Sequence, residues 1–271
     1  MKILTVQDIS CYGQCSTTVA LPVLSAYGHE TVILPSAILS THTAPGFEGF
    51  TVLDLTEEMP KIINHWEKTG IKFDGLYTGY IGDARQFDYI LKIKDEMMND
   101  GGKFFVDPAM ADHGKMYWGL GETIVNGMRR MCEVADYILP NITEACFLTN
   151  TPYQEEQTEE FINTLLERLL SLGCKTVILT GYEKGTKLGA IAYNGKDKVV
   201  VLKDKQEPSY HGTGDIFSSV IIGNLLNGKN LYETLDDATD FIVESIKKTR
   251  DDKSHWYGVK YEEVLKEKAC K

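Results

Sequence analysis

The chain is short of positive charge. Its 271 residues carry 28 Lys and Arg against 39 Asp and Glu, a net charge of −11. Without a basic patch, nucleic acid is not an expected partner, and a phosphate site has to be built locally from backbone amides, helix ends and metal. No apolar run is long enough to span a membrane, and the N-terminus, which opens on a strand-like Lys2–Val6, shows no signal-peptide pattern. The six cysteines, Cys11, Cys15, Cys132, Cys146, Cys174 and Cys270, form no C-x-x-C pair and have neither a zinc-site nor a disulfide-scaffold spacing. The expectation is a cytoplasmic protein in a reducing compartment, with no membrane partner. Several catalytic fingerprints are also missing. Asp8–Cys15 holds a single glycine, which excludes the dinucleotide G-x-G-x-x-G loop, and there is no P-loop, no G-x-S-x-G elbow and no H-E-x-x-H. Repeats, low-complexity tracts and linkers are absent, so residues 1–271 read as one domain.

What is present is 43% hydrophobic residues, ample for a core, laid out in alternation. Short apolar runs at Ile3–Val6, Thr31–Leu34, Gly75–Thr78, Phe104–Val106, Tyr137–Leu139 and Thr176–Leu179 read as central parallel strands. Between them lie helix patterns. Thr17–Tyr27 ends at Gly28, and Glu57–Lys68, capped by Thr56, ends at Gly70. Ala84–Asn99 ends at Gly101-Gly102, and Glu155–Leu172 at Gly173. Leu188–Tyr193, Asn194-Gly195 and Val199–Leu202 read as a hairpin. The fold class is α/β: a three-layer α/β/α domain, its sheet mostly parallel with an antiparallel hairpin at the edge. Ligands of such sheets lie beyond the carboxyl ends of the strands. Asp8, Tyr80, Asp83, Asp107, Asn141, Glu144 and Thr180-Gly181 all fall there.

The most informative stretch is His211-Gly212-Thr213-Gly214-Asp215, ahead of a helical Ile216–Leu226. Two glycines allow backbone N–H groups to converge as an anion-binding nest, to which the helix dipole adds. A carboxylate at the same point suits removal of a proton from an alcohol while a phosphate approaches. The plainer alternative is a tight turn with Asp215 as a helix N-cap. Asp107 and Glu144 are hard oxygen ligands suited to magnesium. Equally, Asp107 before Pro108 is a turn former, and Glu144 fits the first turn of a helix.

Six separated motifs follow one family order. They are Val6-Gln7 with Tyr12-Gly13, Ser40-Thr41-His42-Thr43, Thr78-Gly79-Tyr80, Val106-Asp107-Pro108-Ala109-Met110, Leu139-Pro140-Asn141 with Glu144, and Gly212-Thr213-Gly214-Asp215. In these the chain resembles, nearly end to end, the pyridoxal kinases of the ribokinase superfamily. The resemblance implies ATP-dependent phosphorylation of the 5′-hydroxymethyl group of a B6 vitamer, with ATP, Mg2+ and optionally a monovalent cation (K+) as cofactors and a homodimer as the assembly. It gives Asp215 the role of general base, with Gly212, Thr213 and Gly214 holding charge on the phosphoryl group. Asp107 and Glu144 serve the metal. Asp112, Tyr117, Asn141 and Thr180, with Asp107 and Glu144, serve the nucleotide. Asp8, Thr43 and Tyr80 line the acceptor pocket, and Asp112–Tyr117 is a flap. Asp8 departs from the family's usual Ser: an ionised Asp only accepts hydrogen bonds, which suits a protonated ring nitrogen or an exocyclic amine. Hydroxymethylpyrimidine kinase, another small-alcohol kinase, and a non-catalytic B6 binder are the alternatives. Asp215 stands where the pyrimidine kinases often have Cys, which favours the pyridoxal kinase reading.

Overall fold

The computed structural model describes residues 1–269; Cys270 lies outside them. The elements run β1 (Lys2–Ser10), α1 (Thr17–Ala26), β2 (Glu30–Leu39), β3 (Val52–Asp54), α2 (Met59–Lys68), β4 (Phe73–Thr78), α3 (Arg85–Glu96), β5 (Met98–Val106), β6 (Ala111–Asp112), β7 (Lys115–Met116), α4 (Glu122–Glu133), β8 (Tyr137–Ile138), α5 (Ile142–Thr149), α6 (Glu159–Leu170), β9 (Thr176–Lys184), β10 (Lys187–Tyr193), β11 (Lys198–Asp204), α7 (Thr213–Leu226), α8 (Leu231–Thr249) and α9 (Tyr261–Ala269). Nine strands form one sheet in the order β11-β10-β9-β8-β5-β4-β1-β2-β3. The six strands from β9 to β2 are parallel. Both edges are antiparallel: the expected hairpin β10-β11 on one side, and β3 against β2 on the other.

Consecutive residues of the central strands are buried on opposite faces. Leu4, Leu76 and Phe104 pack under α2 to α6, whereas Ile3, Tyr77 and Phe105 pack under α1, α7, α8 and α9. A strand apolar on both faces has to be covered twice, which makes the third layer necessary. No helix is long and apolar enough to cross a membrane among the described residues.

Three helix boundaries differ from the sequence reading. α3 stops at Glu96, because Met98 already pairs with Phe73 and the Asn99 side chain donates to Asp74 at 2.7 Å. Gly101, at φ 78°, sits inside β5 rather than ending a helix. α2 starts at Met59 without Thr56 as its cap, since the Thr56 hydroxyl accepts from Gln86 at 2.8 Å. α6 starts at Glu159 because the Thr158 hydroxyl accepts the Phe161 N–H at 3.2 Å and so caps the helix there.

Candidate active site

The carboxyl ends of β1, β4, β5 and β8 converge on the N-terminus of α7. Gly212, not Asp215, is the cap of that helix, with φ 79°. A Cβ at Gly212 would stand 1.7 Å from the Gln14 carbonyl oxygen, so glycine is obligatory there; a Cβ at Gly214 would meet nothing within 4 Å. The first ladder bond of the helix is Ile216 N–H to Gly212 O, 3.1 Å. The amides from Gly212 to Asp215 therefore precede the ladder and are not used by it, which leaves them able to hold an anion. Thr213 is fixed by donating to Tyr210 O at 3.1 Å.

Asp215, in the first turn, has its carboxyl pushed up to about 7, first by burial and then by the charge of Asp107; the Ser16 N–H opposes the rise and Asp8 adds to it. Ser16 has a positive φ of 51° with ψ −133°. That twist turns its amide to Asp215 while its side chain serves Asp8. Strain on a non-glycine residue marks a position held for a purpose. Nothing local in the sequence announces it.

Asp107, directly after β5, is pushed up to about 6 by burial, and Ser218 of α7 donates to its Oδ2 at 2.7 Å. Asn141 and Glu144 form a reciprocal capping box at the start of α5. Asn141 Oδ1 accepts the Glu144 N–H at 2.9 Å, and Glu144 Oε2 accepts the Asn141 N–H at 2.8 Å. Glu144 Oε1 also takes the Met110 N–H at 3.1 Å, and Asn141 Nδ2 donates to Ala111 O at 2.8 Å. The box thus clamps the base of the β6-β7 hairpin. Burial, then the charge of Asp107, raises Glu144 well above the usual carboxylate range. Thr180, inside β9 rather than after it, bridges to Asn141 and donates its N–H to Pro140 O at 2.9 Å. Directly after β7, the Tyr117 phenol is raised, first by burial and then by the charges of Glu144, Asp112, Asp215 and Asp107. Asp112 is exposed and turned toward His113, whose N–H it accepts at 2.8 Å. Trp118, 91% exposed, stacks on no ring among the described residues.

Asp8 lies within β1, not after it, and is 4% exposed. Ser10 donates to its Oδ2 at 2.9 Å, and burial raises its pKa against that bond. The Tyr80 phenol is raised by burial and then by the charge of Asp8. Thr43 is exposed at the rim. Next to it His42 is buried, accepting the Ala44 N–H on Nδ1 at 3.2 Å. Its Nε2–H therefore donates to Tyr257 O at 2.8 Å, and the ring is neutral, its pKa lowered first by burial. That bond brings in an aromatic wall absent from the sequence reading. Tyr12 packs on Tyr257 and Phe47 at ring distances of 4.9 and 5.8 Å, and Phe47 on Trp256 at 4.6 Å. His211 is exposed, 5.6 Å from the His42 ring.

The model describing phosphomethylpyrimidine kinase matches residues 56–259. The chain belongs to the phosphomethylpyrimidine kinase family. A hydroxymethylpyrimidine/phosphomethylpyrimidine kinase of Aquifex aeolicus is 32% identical over 92% of this chain and 96% of its own. Among solved structures, a Bacteroides thetaiotaomicron protein assigned to the phosphomethylpyrimidine kinases and crystallised with pyridoxal is 37% identical. It has a TM-score of 0.91 over 98% of this chain and 94% of its own. The pyridoxal kinase of Lactobacillus plantarum is 28% identical at a TM-score of 0.90, over 98% and 95%. This member of the family is a ribokinase-like phosphotransferase with an alcohol acceptor, and pyridoxal kinases are among its relatives.

Proposed function

We propose that the chain, acting as one kinase domain, transfers the γ-phosphoryl group of ATP to the 5′-hydroxymethyl group of a B6 vitamer: pyridoxal, pyridoxine or pyridoxamine. The observation that carries this reading is the Bacteroides neighbour, which shares 37% of its residues and was crystallised with pyridoxal. Asp215 takes the proton of the acceptor hydroxyl. The freed oxygen forms a bond to the γ-phosphorus while the bond from phosphorus to the β–γ bridging oxygen breaks and ADP leaves. The amides at Gly212–Gly214 take up charge on the phosphoryl oxygens as it develops. Asn141 and Thr180 line the triphosphate side. Asp8, Tyr80 and Thr43 line the acceptor side, and the flap with Asp112 and Tyr117 limits water.

Among the described residues no three His, Cys, Asp or Glu side chains converge as a self-sufficient metal site. One or two carboxylates completed by phosphates and water is what magnesium takes, and Asp107 with Glu144 fits that donor set. Ser218 occupies one oxygen of Asp107, and both oxygens of Glu144 already accept backbone N–H groups. Asp107 would thus hold the ion directly and Glu144 through water. Bound there, the cation would neutralise charge on the phosphates.

The second reading, a hydroxymethylpyrimidine kinase, is favoured by Asp8 and by the Aquifex relative. A buried carboxylate accepts readily from an aminopyrimidine amine. The deciding experiment is ATP consumption with magnesium over pyridoxal, pyridoxine, pyridoxamine and hydroxymethylpyrimidine, with mass detection of products. Turnover of the pyrimidine alone would displace the B6 reading. Asp8→Ser checks the pocket. Losing a charged acceptor is expected to lower kcat/KM for amine-bearing acceptors by about 10-fold or more, with the KM for ATP unmoved. A change in ATP affinity alone would take Asp8 out of the acceptor pocket.

A further inference from the structure

Tyr77 is the last residue but one of β4, in register with Thr5 of β1 and Phe105 of β5, on the face covered by α7. The site residues come one row later on the same face: Gln7, Gly79 and Asp107 follow Val6, Thr78 and Val106. Tyr77 is completely buried, and its hydroxyl makes no hydrogen bond among the described residues. Around that hydroxyl stand the carboxylates of Asp107 and Asp215 and the hydroxyls of Ser219 and Ser218. Both serines already spend their protons, Ser218 on Asp107 Oδ2 at 2.7 Å and Ser219 on the Asp215 carbonyl at 2.6 Å. Each keeps lone pairs free, and the phenol of Tyr77, held neutral by burial, is the free donor beside them.

We infer that Tyr77 is a positioning residue for phosphoryl transfer: its hydroxyl donates to the Ser218–Ser219 pair and thereby fixes Asp107 and the first turn of α7 against the sheet. The inference rests on the kinase reading above and adds a part to it. In the molecule as described the two serines lie beside that hydroxyl but too far for a formed bond, and an unpaired buried hydroxyl costs stability. Phenylalanine would fill the same volume without that cost. The hydroxyl therefore serves a state in which the bond is made, namely α7 drawn onto the transferring phosphoryl group. Asp107 follows β5 and Asp215 lies in α7; Ser218 ties that helix to Asp107, and Ser219 closes on the Asp215 carbonyl within the helix. A donor shared by the two serines would hold α7, and with it Asp215, in place against Asp107.

The test is Tyr77→Phe, with Ser218→Ala and the double variant, assayed on whichever alcohol the wild-type chain phosphorylates best. The expected result for Tyr77→Phe is a Tm equal to or above wild type, KM values for ATP and acceptor within about twofold, and kcat lowered about 10-fold. In the double variant kcat should fall little further than in the worse single variant, because both changes break one chain. An unchanged kcat, a Tm that falls in step with kcat, or fully multiplicative losses would each overturn the inference. A failed B6 reading would show instead in the wild-type substrate panel and would leave the ratio of variant to wild type readable.

Discussion

Asp215→Asn is expected to lower kcat by about 10^3-fold while leaving ATP and acceptor binding within a few-fold of wild type. The amide keeps the volume of the carboxylate and can keep the contact with the Ser16 N–H, so the anion hole at Gly212–Gly214 stays formed. What is lost is the base. Titration calorimetry for binding, beside steady-state turnover, separates the two effects. Wild-type turnover in the variant would remove Asp215 from the chemistry.

The same group predicts a pH signature. Burial and Asp107 push Asp215 up to about 7 from an ordinary 3.8. A base works only when ionised, so kcat/KM of the wild type should climb about tenfold per unit below that point and level off above it. The variant should lose this limb. Stability runs the other way. Between 3.8 and about 7 the folded state binds the proton more tightly than the unfolded one, so stability falls as pH rises through that window. Asparagine carries no such charge. Asp215→Asn should therefore melt above wild type at pH 8 and gain less at pH 5, by thermal denaturation. An enzyme that becomes more stable as it loses activity is the expected behaviour of a desolvated catalytic group.

How far these parts can be read from the chain depends on their range. The parallel strands are legible because each is a short run apolar on both faces, and the hairpin because Asn194-Gly195 sits between alternating runs. β3 is not, since Val52, Leu53 and Asp54 are all exposed and carry no alternation. The capping box is local, Asn-x-x-Glu, and readable. Its second task, clamping Met110 and Ala111 at the base of the β6-β7 hairpin, joins residues about thirty apart and is not. The links that build the site are longer still. Ser218 reaches Asp107 across 111 residues and His42 reaches Tyr257 across 215. α7 conceals the first by being apolar nearly all round, so Ser218 and Ser219 read as neutral core positions. Ser16 is hidden differently: its positive φ belongs to the tertiary contacts with Asp8 and Asp215, not to any preference of serine.

Gly212→Ala should be the most damaging single methyl in the molecule. The residue needs φ 79°, where an L side chain costs about 1–2 kcal/mol, and the new carbon would stand 1.7 Å from the Gln14 carbonyl oxygen. That neighbour is backbone and cannot rotate aside, so either the start of α7 or the Tyr12–Gln14 loop has to move. Both routes reach the site. The first displaces the Gly214 amide and Asp215. The second pushes on Gly13, which already leaves no room for a Cβ against the His42 ring. Misplacement of reacting groups by about 1 Å costs on the order of 10^2-fold in rate, and strain of this kind belongs to the large destabilisations. The expectation is kcat reduced at least ~100-fold together with a Tm several degrees lower. Gly214→Ala is the control, because its Cβ meets nothing within 4 Å. It should fold with the wild-type Tm and instead raise the KM for ATP, since its methyl would occupy the space kept for the phosphates. Should Gly212→Ala keep wild-type Tm and turnover, the close approach of α7 to the Gln14 carbonyl would not be what holds the anion hole in place.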